Sequence, residues 1–173
     1  MTDPVFKVLF LCTGNSARSI IGEVVMNHDG AGRFHAFSAG SHPKGEVHPM
    51  AIETLSGLGF DTQGLRSKSW DEFSGPDAPV FDFIFTVCDN AATEVCPVWV
   101  GHPMTAHWGI EDPAATEGPG QRQAFVDTVR YLRRRIELFM DLPLKTLDTL
   151  ATQRKLKEIG QIEGASLKAE TAQ

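Results

Sequence analysis

Four consecutive apolar residues, Val8-Leu9-Phe10-Leu11, stop abruptly at Cys12, and the small or polar Thr13-Gly14-Asn15-Ser16-Ala17 lead on to Arg18 and Ser19. The run has the pattern of a strand covered on both faces, which belongs in the interior of a parallel sheet. The residues after it predict a tight loop opening onto a helix. In such a loop backbone N–H groups converge, and the helix N-terminus adds its positive end. A cysteine at the start and an arginine at the end make a tetrahedral oxyanion the natural guest. The thiolate sits behind the central atom and the guanidinium forks across two oxygens. The same setting should hold the Cys12 thiol ionised at neutral pH, helped by a hydroxyl such as that of Ser19. A cysteine that served packing alone would not require the rest of this loop.

The remainder of the chain alternates between strand and helix patterns. Strands are expected over 34–39, 81–87 and 104–108 from their aromatic and β-branched content. Helices are expected over 16–26, from Pro49 onward with His48 as its cap, over 121–140, and over 144–159. A short helix is expected to begin near Ser69. This alternation predicts an α/β fold, an open four-stranded parallel sheet with helices on both faces, plus a C-terminal helical extension. Residues 1–142 read as one oxyanion-binding catalytic domain, and residues 143–173 as a helical extension and tail rather than a separate domain. Ligands of such sheets bind at the carboxyl ends of the strands. Cys12, Cys88 and Asp112 each come just after a predicted strand.

Several function classes are disfavoured. With 173 residues and a net charge of −6, the chain offers no basic face for nucleic acid. The run Arg133-Arg134-Arg135 falls within a helical pattern, as a solvated face. No apolar stretch approaches transmembrane length, and the first residues lack a basic, signal-like segment, so a cytoplasmic location is expected. Three cysteines in that compartment argue for catalysis or redox work rather than a disulfide framework. The six histidines show no metal-ligand spacing, and no metal is expected.

The loop from Cys12 to Ser19 resembles the C-x5-R-S loop of the low-molecular-weight protein tyrosine phosphatases, and Asp112-Pro113 resembles that family's general-acid motif. The likeness spans residues 5–140. Within that fold the chain looks most like the thiol-dependent arsenate reductases, which add two redox cysteines after the third strand, where Cys88 and Cys96 stand. The phosphatases typically carry tyrosine beside the Asp-Pro pair. Here Ala114-Ala115 stand in that place, and the only tyrosine, Tyr131, lies in a late helix. That departure disfavours a phosphotyrosine substrate.

The resemblance implies a role for each residue. Cys12 is the nucleophile toward arsenate, Arg18 and the loop Thr13, Gly14, Asn15, Ser16, Ala17 and Ser19 bind the oxyanion, and Asp112 protonates the departing oxygen. Cys88 then attacks Cys12, releasing arsenite, and Cys96 attacks Cys88 to free Cys12. No cofactor is bound; an external thiol reductant, thioredoxin or a glutaredoxin-type protein, closes the cycle. Cys88 and Cys96 have seven residues between them. In a continuous helix they would stand about 12 Å apart, so the segment must move. Asn15, Glu23 and Ser38 match residues that form a monovalent-cation site in some of these reductases. Lys68 takes the place of the remaining aspartate ligand, so an ammonium is expected to replace potassium and pair with Glu23. Three rival readings stand beside arsenate reduction: a phosphate monoesterase, a glutathione- or mycothiol-coupled reductase in which Cys96 is idle, and an inactive oxyanion-binding module.

Overall fold

The computed structural model describes residues 3–94, 97 and 99–166. Its centre is β1 (Phe6–Cys12), in which Val8, Leu9, Phe10 and Leu11 are buried on both faces. β1 pairs in parallel with β2 (Phe34–Gly40) on one side and with β3 (Phe83–Thr86) on the other, and β4 (Met104–His107) adds outside β3. The strand order β2-β1-β3-β4 gives the expected all-parallel sheet of four. Helices α1 (Arg18–Asp29), α2 (Pro49–Gly57), α3 (Asp89–Thr93), α4 (Gln121–Met140) and α5 (Thr149–Ile159) complete the fold. None of the helices among the described residues is long and apolar enough to cross a membrane.

Helix ends obey their capping chemistry. The imidazole Nδ1 of His48 accepts the Met50 N–H at 3.0 Å, capping α2 ahead of Pro49 as expected. Ser69 caps a 3-10 turn over Trp70–Phe73 by accepting from the Asp71 N–H. Two helices start later than periodicity predicts. Ser16 and Ala17 stay in the loop, where the Ser16 carbonyl accepts the His48 N–H, so α1 opens at Arg18. α5 opens at Thr149, because Asp148 takes the Ala151 N–H at 2.7 Å and acts as its N-cap.

The sheet divides the core. Val8 and Phe10 pack with Phe83 and Phe85 against α1 and α4, while Leu9, Leu11 and Ile84 meet Phe81 and, at the margin, Trp70, Phe73 and Trp99. Trp108 lies flat on Phe85, centroids 3.7 Å apart and planes 9° apart, and Phe139 of α4 meets both rings edge-on. The Trp108 indole donates to the Leu156 carbonyl of α5 at 2.9 Å. Leu156 and Ile159 join the main core cluster. Against the solvated face expected of the run 133–135, Arg135 of α4 is buried because it reaches the carbonyls of Tyr131, Ile162 and Glu163, and burial brings its pKa down to about 10.

Topology places the chemistry. The chain leaves β1 toward β2 on one side and later returns to β3 on the other, so the crevice between the carboxyl ends of β1 and β3 is the switch point of the sheet. Cys12 ends β1, and Cys88 comes two residues after β3. Gly40, paired with Cys12 at the end of β2, has no room for a side chain: a Cβ there would come 2.5 Å from the Thr13 carbonyl.

α1 crosses β1 closely because Gly22 faces the buried Phe10 ring; a Cβ at position 22 would lie 2.7 Å from it. Gly22→Ala gains up to ~1 kcal/mol of helix propensity but overpacks a ring that cannot move, costing about 1–3 kcal/mol. The variant should therefore unfold at lower urea with an unchanged m-value. A raised midpoint would show that the crossing has slack.

Candidate active site

The loop after β1 is held from outside by its carbonyls. Thr13 O accepts from the His42 N–H (2.9 Å), Gly14 O from the Lys44 N–H (3.0 Å) and from Ser67 Oγ (3.2 Å), and Ser16 O from the His48 N–H (2.8 Å). Across a trans peptide the next N–H points the opposite way. The outward carbonyls therefore turn the amides of Gly14, Asn15 and Ala17 toward the inside of the loop, and the Gly14 N–H serves the Cys12 sulfur. Asn15 takes a left-handed backbone, φ 43°, which asparagine tolerates better than most residues. Its fully buried amide accepts the Lys68 N–H at 2.9 Å and donates to Ser19 Oγ at 2.8 Å. Asn15 and Ser19 thus shape the loop.

Cys12 and Cys88 are both free thiols, 6% and 2% exposed, and they share a side-chain hydrogen bond. Cys88 is also the N-cap of α3. Its Sγ accepts the Ala91 N–H at 3.4 Å and the Thr13 N–H at 3.2 Å, while Thr13 Oγ1 lies 3.5 Å away and donates to Glu94 Oε1. The hydrogen bond with Cys12 and those from Thr13 and Ala91 bring the Cys88 pKa down to about 5. The same Cys12–Cys88 bond, with burial, pushes Cys12 well above its ordinary value, against Arg18 and the Gly14 amide. Cys88 collects the protein's donors, which draw its thiol toward the charged form, while burial and the neighbouring sulfur hold Cys12 toward the neutral one. Ser19 Oγ accepts the Asn15 side-chain N–H, which leaves its own O–H available as a donor.

Arg18 and Asp112 are brought together. Arg18 donates through Nη1 to the Ile110 carbonyl at 2.8 Å, and its Nη2 lies 3.9 Å from Asp112 Oδ2. Asp112 accepts the Ala114 N–H with its other oxygen, capping a 3-10 turn at Pro113–Ala115. The carboxylate is half-exposed, directed by that cap, with the guanidinium as its partner. The expected Cys96 lies outside the described residues. α3 ends at Thr93, so Cys88 is not joined to position 96 by a continuous helix.

Glu23, Ser38 and Lys68 gather beneath the loop. Ser38 Oγ donates to Glu23 Oε2 at 3.0 Å, and Lys68 Nζ reaches Ser38 Oγ at 3.5 Å and the Arg66 carbonyl at 3.0 Å. The expected pairing of ammonium with Glu23 therefore runs through Ser38, with attraction across space rather than a direct contact. Burial raises the Glu23 pKa and lowers that of Lys68, while each draws the other toward its charged form. The Lys68 ammonium thus takes up two oxygens of this cluster, Ser38 Oγ and the Arg66 carbonyl. Asp89 and His107, bonded to each other at 2.9 Å next to Cys88, were legible in the sequence only as unremarkable polar residues.

Titration separates the two thiols. In a Cys96→Ser enzyme, thiolate absorbance should appear in two steps as pH rises, the first near the pH 5 value of Cys88 and the second far above it. Cys88→Ser should abolish the low step and bring Cys12 down, because the Cys88 hydrogen bond is the largest influence holding it up. For the Lys68 cluster, thermal unfolding should give the same Tm in potassium and sodium chloride. Potassium-specific stabilisation of the unmodified protein would contradict the tethered ammonium.

Comparison with known proteins places this geometry. The family model described as low molecular weight phosphotyrosine protein phosphatase matches residues 7–155. An arsenate reductase of Shouchella clausii is 32% identical over 119 residues, 69% of this chain and 82% of that protein. A glutaredoxin arsenate reductase of Synechocystis sp. is 31% identical over 132 residues, 76% of this chain and 93% of the relative. Among solved structures, an arsenate reductase in its phosphate-binding state superposes with a TM-score of 0.65 at 28% identity, covering 77% of this chain and 95% of its own. With the family model matched from residue 7 to residue 155, the chain belongs to the low molecular weight phosphotyrosine protein phosphatase family.

Proposed function

We propose that this protein reduces arsenate to arsenite through a relay of thiols. The observation that carries the reading is the second thiol: the buried Cys88 lies beside Cys12, and its sulfur accepts the Thr13 and Ala91 amides, which favour its thiolate. Hydrolysis of a phosphate ester needs a single nucleophilic sulfur, and a second ionised one beside it has no role there. In a reductase it is the required attacking group.

Arsenate enters the loop, and Arg18 turns from the Ile110 carbonyl to its oxygens. A proton moves from Cys12 Sγ to Cys88 Sγ, so the charge passes to the nucleophile. Cys12 attacks arsenic, and Asp112 protonates the oxygen that leaves, since hydroxide is otherwise a poor leaving group. Cys88 gives that proton to the Asp112 carboxylate left by the previous step, and its thiolate attacks Cys12 Sγ. The S–S bond forms, the S–As bond breaks, and arsenic keeps the electron pair, leaving as arsenite. Cys96 then attacks Cys88, freeing Cys12 as a thiolate. An external dithiol protein of thioredoxin or glutaredoxin type reduces the Cys88–Cys96 disulfide. Residues 143–166 act as part of the same domain, because Leu156 and Ile159 lie in its core.

Arsenate-dependent NADPH oxidation coupled through thioredoxin and its reductase tests this. Cys12→Ser should abolish the reaction, and Cys88→Ser and Cys96→Ser should abolish repeated turnover. Asp112→Asn should slow adduct formation by ~10²–10⁴-fold, the range for a general acid. Full turnover by Cys96→Ser would defeat the three-thiol relay and point to a small-thiol reductant. Rapid hydrolysis of an aryl phosphate, with no arsenate turnover by any thiol system, would make the protein a phosphatase.

A further inference from the structure

The family match ends at residue 155, within α5, and the chain continues beyond it. Residues 160–166 cross back over the segment joining β4 to Asp112. The Ser166 N–H donates to the Gly109 carbonyl at 3.0 Å, and Ala165 forms an antiparallel bridge with Ile110. From α4, Arg135 holds the Ile162 and Glu163 carbonyls at 3.1 Å each. This strap therefore rests on Ile110, whose carbonyl holds Arg18. Its Ser166, 1% exposed, donates to Asp89 Oδ1 at 2.6 Å. His107 Nε2 meets the same oxygen at 2.9 Å, and His107 Nδ1 meets Thr86 Oγ1 at 2.8 Å. Gly109 lies in the middle of this cluster, where a Cβ would collide with Ser166 Oγ, His107 Nε2 and Asp89 Oδ1 at once.

Asp89 is the first residue of α3, adjacent to Cys88. α3 has five residues, far too few to persist without tertiary tethers. Its start is held in two ways: by the bonds to the Cys88 sulfur, and by the grip of β4 and the strap on the Asp89 carboxylate. Once Cys88 enters a disulfide with Cys12 its charge is gone, and the first tether weakens. The second does not depend on the redox state.

We propose that Ser166 and His107 are positioning residues for the resolving thiol: through Asp89 they latch α3 closed, holding Cys88 against Cys12, and this latch must open before Cys88 exchanges with Cys96. The inference rests on the relay described above. In the gated step Cys96 thiolate attacks Cys88 Sγ, the Cys88–Cys96 bond forms, the Cys12–Cys88 bond breaks, and Cys12 leaves as the thiolate. No outside electrons are needed.

The test uses full-length protein carrying Ser166→Ala, Asp89→Ala, or both. In the reduced state, amide hydrogen exchange over residues 89–93 should rise roughly tenfold in Ser166→Ala, the loss expected for one hydrogen bond to a carboxylate. Exchange in β1 and α4 should not change. The double variant should go little beyond Asp89→Ala alone, since both remove one connection. After a single turnover with arsenate and no reductant, mass spectrometry of the disulfides should show Cys88–Cys96 replacing Cys12–Cys88 several-fold faster in Ser166→Ala. A merely structural defect would slow that step instead. Unchanged exchange over 89–93 in Ser166→Ala overturns the latch, whatever the disulfides do. Raised exchange with no disulfide ever reaching Cys96 upholds the latch and removes the relay.

Discussion

The site is organised around two buried thiols, Cys12 at the end of β1 and Cys88 just past β3, and around the backbone donors that converge on the second. Two cysteines in so dry a place cannot both ionise, and neither is easily left without a partner. The protein settles the matter with backbone: the Thr13 amide from one loop and the Ala91 amide from the start of α3 converge on Cys88. That convergence favours the charged form of Cys88.

The rigidity that this needs comes from the parallel sheet. β1 is paired with β2 through to Cys12 and with β3 through to Leu11, which fixes Cys12 relative to Gly40 and to the end of β3. The loop beyond it is over-determined by its outward carbonyl bonds and by the buried Asn15 amide in its left-handed conformation. Below it, the Glu23–Ser38–Lys68 cluster places an ammonium among buried oxygens. The acid side is looser by contrast: Asp112 is half-exposed and held by one cap and one distant guanidinium, which suits a group that must meet an arriving substrate.

The C-terminal extension ties these parts together. Through Leu156 and Arg135 it is built into the core, and through residues 160–166 it lies on both the segment that holds Arg18 and the residue next to Cys88. A site whose chemistry demands both a fixed first step and a mobile second step gains from a clamp made of single hydrogen bonds, strong enough to hold and weak enough to release.

Much of this protein was legible from local patterns alone. The apolar run into Cys12, the small loop residues before Arg18, and the Asp-Pro pair carry their own physics: strand burial, converging amides and a restricted backbone. The helix over 121–140 and the His48 cap were legible for the same reason. Charge was not. The location of the thiolate depends on Cys88 meeting Thr13 across 75 positions of sequence, and no local pattern shows which of two thiols will collect the donors. Nor could spacing show that Lys68 reaches Glu23 through Ser38, or that Asp89, His107 and Ser166 meet around Gly109. Those contacts exist only because strand order brings distant segments to one edge of the sheet, and that order was decided by tertiary packing.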